Sequence, residues 1–100
     1  MTYSKTKTVD FYSDPGHGWA KVKISELKDL GILTKITAFS YVRGIWAYLE
    51  EDCDFWTYIE AMREQRDTDI KTRYRHGNRR SRIRGYQWYP YHVPKVVDAK

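Results

Sequence analysis

Short runs of alternating apolar and polar residues recur along this chain, each closed by a turn signal. A run of that kind buries one face of a strand and is too short for a long helix. Residues 8–13 (TVDFYS) set Val9 and Phe11 against Asp10 and Tyr12. Residues 14–18 (DPGHG) form a turn, because proline presets one backbone angle and glycine accepts positive φ. Residues 19–23 (WAKVK) alternate again, with Trp19 and Val22 expected to face inward, so the two strands pair as a hairpin. Residues 36–42 (ITAFSYV) and 45–50 (IWAYLE) are rich in aromatic and β-branched side chains and predict a second antiparallel pair, turning at Arg43 and Gly44. Residues 70–75 set Ile70, Thr72 and Tyr74 against Lys71, Arg73 and Arg75, a strand with one buried and one basic face.

Two helices separate these strands. Residues 25–30 place Leu27 and Leu30 on one stripe, with Ser25 as the expected cap and Gly31 as the left-handed stop. A longer helix begins at Asp52 or Asp54 and runs to Arg66, with Phe55, Ile59 and Met62 on one face and Tyr58 beside them. Its first turn is acidic and its last turn carries Arg63 and Arg66, which complements the helix dipole. The expected fold is α+β: a small single domain, β-β-α-β-β-α-β, with helices on a mostly antiparallel sheet. An aromatic segment, 86–91 (YQWYPY), follows as a last strand or an arm. The ordered core is expected over 7–91 and a flexible tail over 92–100.

The 100 residues amount to one domain, and the 16% aromatic content argues for a packed core. The single cysteine, Cys53, excludes an intramolecular disulfide framework and suits a reducing compartment. The N-terminal residues lack the apolar centre of a secretion signal, and no apolar run approaches the length of a membrane span. A cytoplasmic protein without membrane attachment is therefore expected. The formal charge of +5 is unevenly placed. Acids slightly outnumber bases up to Asp67, whereas Lys71, Arg73, Arg75, Arg79, Arg80, Arg82 and Arg84 crowd one later stretch.

That stretch carries two readings. On a strand, Lys71, Arg73 and Arg75 project from one face about 7 Å apart, twice the rise per residue. Arg79, Arg80, Arg82 and Arg84 extend the stripe, guanidinium forks match phosphate oxygens, and the rings of Tyr86 and Trp88 can stack on unpaired bases. The other reading is a solvated basic face that pairs with Glu50, Glu51, Asp52 and Asp54 and discourages edge aggregation. No pattern of an RNA-recognition, zinc-finger or helix-turn-helix module accompanies it.

Other features are less specific. The glycines around His17 can cradle an anion, but no lysine-serine helix start follows, so a hairpin turn accounts for them. The acidic group 50–54 lacks the glycine and distant glutamate of a calcium loop, and helix capping explains it. Cys53 has no partner thiol, and His17, His76 and His92 share no metal-ligand spacing. No triad signature frames the serines, so binding rather than catalysis is expected, with no metal or cofactor.

The stretches DFYSDPGHGWAKV, YLEEDCDFW and NRRSRIRGYQWY resemble a group of small proteins encoded by phages and mobile bacterial DNA. The likeness spans residues 9–89. The group has no established activity, so no residue role carries over. The resemblance implies a setting in which small proteins bind host machinery, anti-CRISPR and other anti-defence inhibitors among them. The expected function is thus a phage-type accessory protein that engages nucleic acid or a host nucleoprotein complex through the basic, aromatic C-terminal surface. The alternatives are a stoichiometric inhibitor of a host protein through aromatic contacts alone, and a small enzyme using His17 with Asp10 or Asp14. A homodimer through an exposed strand edge is compatible with either binding reading.

Overall fold

β1 (Lys5–Ser13) and β2 (Gly18–Lys23) form the expected hairpin, closed by Asp14, Pro15, Gly16 and His17. The computed structural model describes residues 2–94. The end of the expected tail, from 95 onward, lies outside the described residues.

The helix α1 (Ile24–Asp29) starts one residue before Ser25, and no side chain caps it. The Ile24 N–H instead donates to the Ile45 carbonyl at 2.9 Å, so a neighbouring turn replaces the expected serine cap. Gly31, at φ 73°, ends this segment in the left-handed region as expected.

The pair β3 (Tyr41–Arg43) and β4 (Trp46–Glu50) turns at Gly44, at φ 61°. The expected strand over 36–42 is shorter than its composition suggests. Ile36 is fully buried, but Thr37 and Ser40 turn toward the buried Asp54. One Asp54 oxygen accepts the Thr37 N–H at 3.0 Å, the Thr37 hydroxyl at 2.7 Å and the Ser40 hydroxyl at 2.6 Å. Those local bonds compete with a sheet ladder, and the chain bends there.

α2 (Asp54–Arg66) leads to β5 (Thr68–His76), which pairs parallel to β1 from Lys5↔Thr68 to Ser13↔His76. Glu50 caps α2 from outside: its carboxylate accepts the N–H groups of Asp52, Cys53 and Asp54. β6 (Gln87–Trp88) pairs with β3. The sheet order is β5-β1-β2-β4-β3-β6, and every pairing but β1 with β5 is antiparallel.

This topology explains why both helices share one face. The crossover from β2 through α1 to β3 and the crossover from β4 through α2 to β5 travel in opposite directions across the sheet. Their strands also point in opposite directions. The two reversals cancel, so a single handedness applied to both crossovers sends both helices to the same side. On that side Val9, Phe11, Ala20, Val22, Ala47 and Leu49 meet Leu27 and Leu30 on one side and Phe55, Tyr58 and Met62 on the other. Each large side chain so buried stabilises by about 1.5–3 kcal/mol. Glu26 ties the layer together, accepting from Lys7 Nζ at 2.7 Å, the Tyr58 hydroxyl at 2.8 Å and Arg66 Nη1 at 3.3 Å.

Burial along β5 fades from Thr68, where α2 delivers the chain, to Tyr74, which is 70% exposed. The expected buried face of this strand therefore holds only at its start, because β5 is an edge that α2 leaves uncovered further on. Tyr74 meets Phe11 edge-on, with ring centroids 5.2 Å apart. Among the described residues no helix is long and apolar enough to cross a membrane.

Candidate nucleic-acid interface

Because α1 and α2 lie on one side, neither covers the opposite face of the sheet, where one 3-10 turn, Arg82–Gly85, packs over one end. Strand register arranges its side chains in three ranks. Nearest the β1–β2 turn stand Arg75, Tyr12, Trp19 and Glu50. The middle rank is Arg73, Asp10, Lys21, Tyr48, Tyr41 and Trp88. The far rank holds Lys71 on β5, then Lys23, Trp46 and Arg43.

Rings and cations are interleaved in these ranks. Lys21 Nζ sits 4.4 Å from the centre of the Trp46 ring, and the Arg43 guanidinium lies 5.1 Å from Tyr86. The acids are few and occupied. Glu50 caps α2, while Asp10 accepts from Arg73 Nε at 2.6 Å and lies 3.6 Å from Arg75. The Arg73 hydrogen bond holds the Asp10 carboxyl below its ordinary range, against the opposing effect of desolvation.

Residues 77–86 return over the rank nearest the turn, and Asp14 anchors them. One oxygen of its buried carboxylate accepts the Ser81 N–H and Arg84 Nε, each at 2.8 Å. The other accepts Arg84 Nη2 and the N–H groups of Gly16 and His17, each at 3.0 Å. The Arg84 bond, chiefly, with the amides holds this carboxyl well below the usual carboxylate range. The Arg84 guanidinium lies 5.5 Å from the Trp19 ring, and Ile83 is buried against Trp19 and Tyr48 in a second small core.

Between this returning segment and the sheet lies a cleft of about 500 Å³. Its floor is Tyr12, Lys21 and Tyr48. Its walls are Arg75, His76, Arg79, Ser81, Arg82, Ile83 and Tyr86. Among the described residues no carboxylate lines it. The Tyr48 phenol is pushed above its ordinary pKa, first by burial and then by the neighbouring Tyr86 and Tyr12.

The sequence-predicted residues therefore separate. Arg75, Arg79, Arg82 and Tyr86 meet at the cleft, and Lys71 and Arg73 continue its positive charge along the open face. Arg80 lies on the other side of the Asp14 turn, beside Pro15 and Gly16. Arg84 is held in its ion pair with Asp14. Trp88, 67% exposed, stands at the far edge beside Tyr41. Sequence reasoning missed Tyr12, Lys21, Arg43, Trp46 and Tyr48. Alternation carried the signal: Trp19 and Val22 are three positions apart, so they cannot share a face. Val22 enters the main core, while Trp19 shares the opposite face with Lys21.

The remaining candidates do not converge on this surface. Both oxygens of Asp14 are engaged by Arg84, Ser81 and turn amides, including that of His17, so the carboxylate is not presented to the His17 ring. His76 Nδ1 pairs with the Ser13 hydroxyl at 2.8 Å. Cys53 is exposed beside the acidic segment. Among the described residues no group of three or more His, Cys, Asp and Glu side chains is arranged to hold a metal ion. No family model matches the chain, and neither a curated protein nor a solved structure matches it.

Proposed function

We propose that this protein binds single-stranded nucleic acid, free or displayed by a host nucleoprotein, across the open face of its sheet. The observation that carries this reading is the interleaving of Tyr41, Trp46 and Trp88 with Lys21, Lys23, Arg43, Lys71 and Arg73 on one face. Rings supply stacking platforms for unpaired bases, and the cations between them meet the phosphates. Bases inside a duplex are already stacked, so a ring-bearing sheet favours a single strand. The resemblance to phage-encoded proteins supports a nucleoprotein of host defence, in the host cytoplasm, as the partner. No cofactor or catalytic step enters this reading.

The test is fluorescence anisotropy of labelled single- and double-stranded DNA and RNA at several salt concentrations. Micromolar or tighter binding to single strands, falling steeply with salt, is expected. Replacing Lys21, Arg43 and Arg73 together by alanine should lower affinity about tenfold or more and flatten the salt slope by about one per lost phosphate contact. Affinity that ignores salt would remove the basis for this reading. Phe39, 79% exposed, and Trp88 support a second one, a stoichiometric complex with a host protein through aromatic contacts. Its signature is a flat salt dependence.

A further inference from the structure

The cleft beneath the returning segment gathers more positive charge than a run of phosphodiesters requires. Lys21, Arg75, Arg79 and Arg82 line it together with His76, and among the described residues no carboxylate does. Among the described residues Lys21, Arg79 and Arg82 take part in no ion pair. Arg75 has only Asp10, at 3.6 Å, and Asp10 is bound more closely by Arg73. The other clefts place carboxylates among their cations. The one beside α1 mixes its cations with Asp10, Glu26 and Asp29, and the one beside Phe39 is lined by Glu50, Glu51 and Asp52.

We propose that this cleft binds a terminal phosphomonoester, the phosphorylated end of a nucleic-acid strand. The proposal rests on the strand-binding reading above and names the part of the strand that this end of the surface takes. A phosphodiester carries one negative charge, whereas a phosphomonoester carries about 1.5–2 at neutral pH and an additional acceptor oxygen. Arg75, Arg79 and Arg82 present guanidinium donors to those oxygens. The terminal base stacks on the half-buried Tyr86, whose ring packs 5.1 Å from that of the buried Tyr48.

The cleft is also closed where a strand would otherwise continue. Residues 77–86 return over that end of the face, fixed by the Ser81 N–H and the Arg84 guanidinium on Asp14 and by Ile83 against Trp19 and Tyr48. These attachments hold the returning segment beside the β1–β2 turn. A strand running along the face from the Trp46 side meets that wall, so the unit in the cleft is its last. The volume, about 500 Å³, suits one phosphate and one base.

The experiment uses the full chain and three oligonucleotides of one sequence, carrying a 5′-phosphate, a 3′-phosphate or hydroxyl groups at both ends. One phosphorylated end should bind about tenfold more tightly than the hydroxyl form. Which of the two it is fixes the polarity of the strand on the sheet. The double variant Arg79→Ala, Arg82→Ala should abolish that preference. Both side chains are exposed and, among the described residues, outside any ion pair, and circular dichroism checks that the fold is kept. Lys71→Ala should weaken all three oligonucleotides alike. Equal affinity for the three, with steep salt dependence, would overturn the cleft assignment and leave the strand reading standing. A preference that survives in the double variant would also overturn it. Absence of binding to every oligonucleotide at low salt would remove both readings.

Discussion

At the scale of single residues, Asp14 does the most to shape the surface. It begins as a turn residue, which its place before Pro15 and Gly16 makes plain, but its carboxylate also holds Ser81 and Arg84, far along the chain. That second role has no local signature, since it depends on where residues 77–86 come to lie. Asp14 has a folded-state pKa below its ordinary value of 3.8, so its contribution is complete above that pH. As pH falls below it, the unfolded chain takes up the proton first and the contribution is progressively lost. Asp14→Asn should therefore lower the melting temperature by several degrees at pH 7 and reduce the dependence of stability on pH in the acid range. Thermal unfolding from pH 7 to pH 3 measures both, and parallel curves for variant and parent would refute the assignment. Tyr58 carries the opposite sign. Burial, then the bond to Glu26, raises its phenol far above the ordinary value of 10.0. Its contribution is complete below that pH and lost as pH rises through and beyond it, because the unfolded phenol ionises first. Tyr58→Phe should cost about 1 kcal/mol at neutral pH, the usual net worth of one hydrogen bond, and soften the alkaline decline.

Among the elements, the strands with strict alternation were the most legible. β1 matches its expected pattern, with Val9 and Phe11 facing the core and Asp10 and Tyr12 the other side, whereas in β2 only Val22 of the expected inward pair enters the main core. α2 was legible from the spacing of Phe55, Tyr58 and Met62, although its cap is Glu50 and not an aspartate of its first turn. The stretch 36–42 was misleading. Its β-branched and aromatic residues favour a strand, but the bonds from Thr37 and Ser40 to Asp54 outweigh that preference locally. The returning segment was opaque for a different reason. It has no period, and its order comes from three distant attachments: Asp14, the small core around Ile83, and the pairing of β6 with β3. A site built by such a return can be read for its charge but not for which arginines point together. Ile83→Ala tests the attachment. It should cost about 2 kcal/mol or more where the loss is felt globally, as large-to-small changes in buried sites do. If the segment detaches on its own, Trp19 becomes exposed and its fluorescence shifts to the red. An unchanged melting temperature together with unchanged fluorescence would show that Ile83 does not hold the segment.

For the molecule as a whole, the central fact is a division of labour between two faces. Crossovers of one hand place both helices on one side, so the main hydrophobic load is carried there and the other side carries only the small core around Trp19, Tyr48 and Ile83. Large rings on that other side are not needed to fill the main core, and cations can stand between them. The arrangement has an electrostatic cost, because a chain of net charge +5 concentrates like charges on one surface. A polyanion that binds the folded state relieves this repulsion and stabilises by mass action. At a ligand concentration one hundred times the dissociation constant the gain is about 2.7 kcal/mol, which in a domain this size raises the melting temperature by roughly ten degrees or more. The gain must fade as salt displaces the ligand, since the phosphate contacts release counterions. Thermal unfolding with and without a single-stranded oligonucleotide, at low and at high salt, measures this directly. A large upward shift at low salt that vanishes at high salt is expected, and a duplex of the same length should give a smaller one. A shift of equal size at both salt concentrations would mean that the ligand is held by its bases alone, and the ranks of lysine and arginine on the open face would have no part in it.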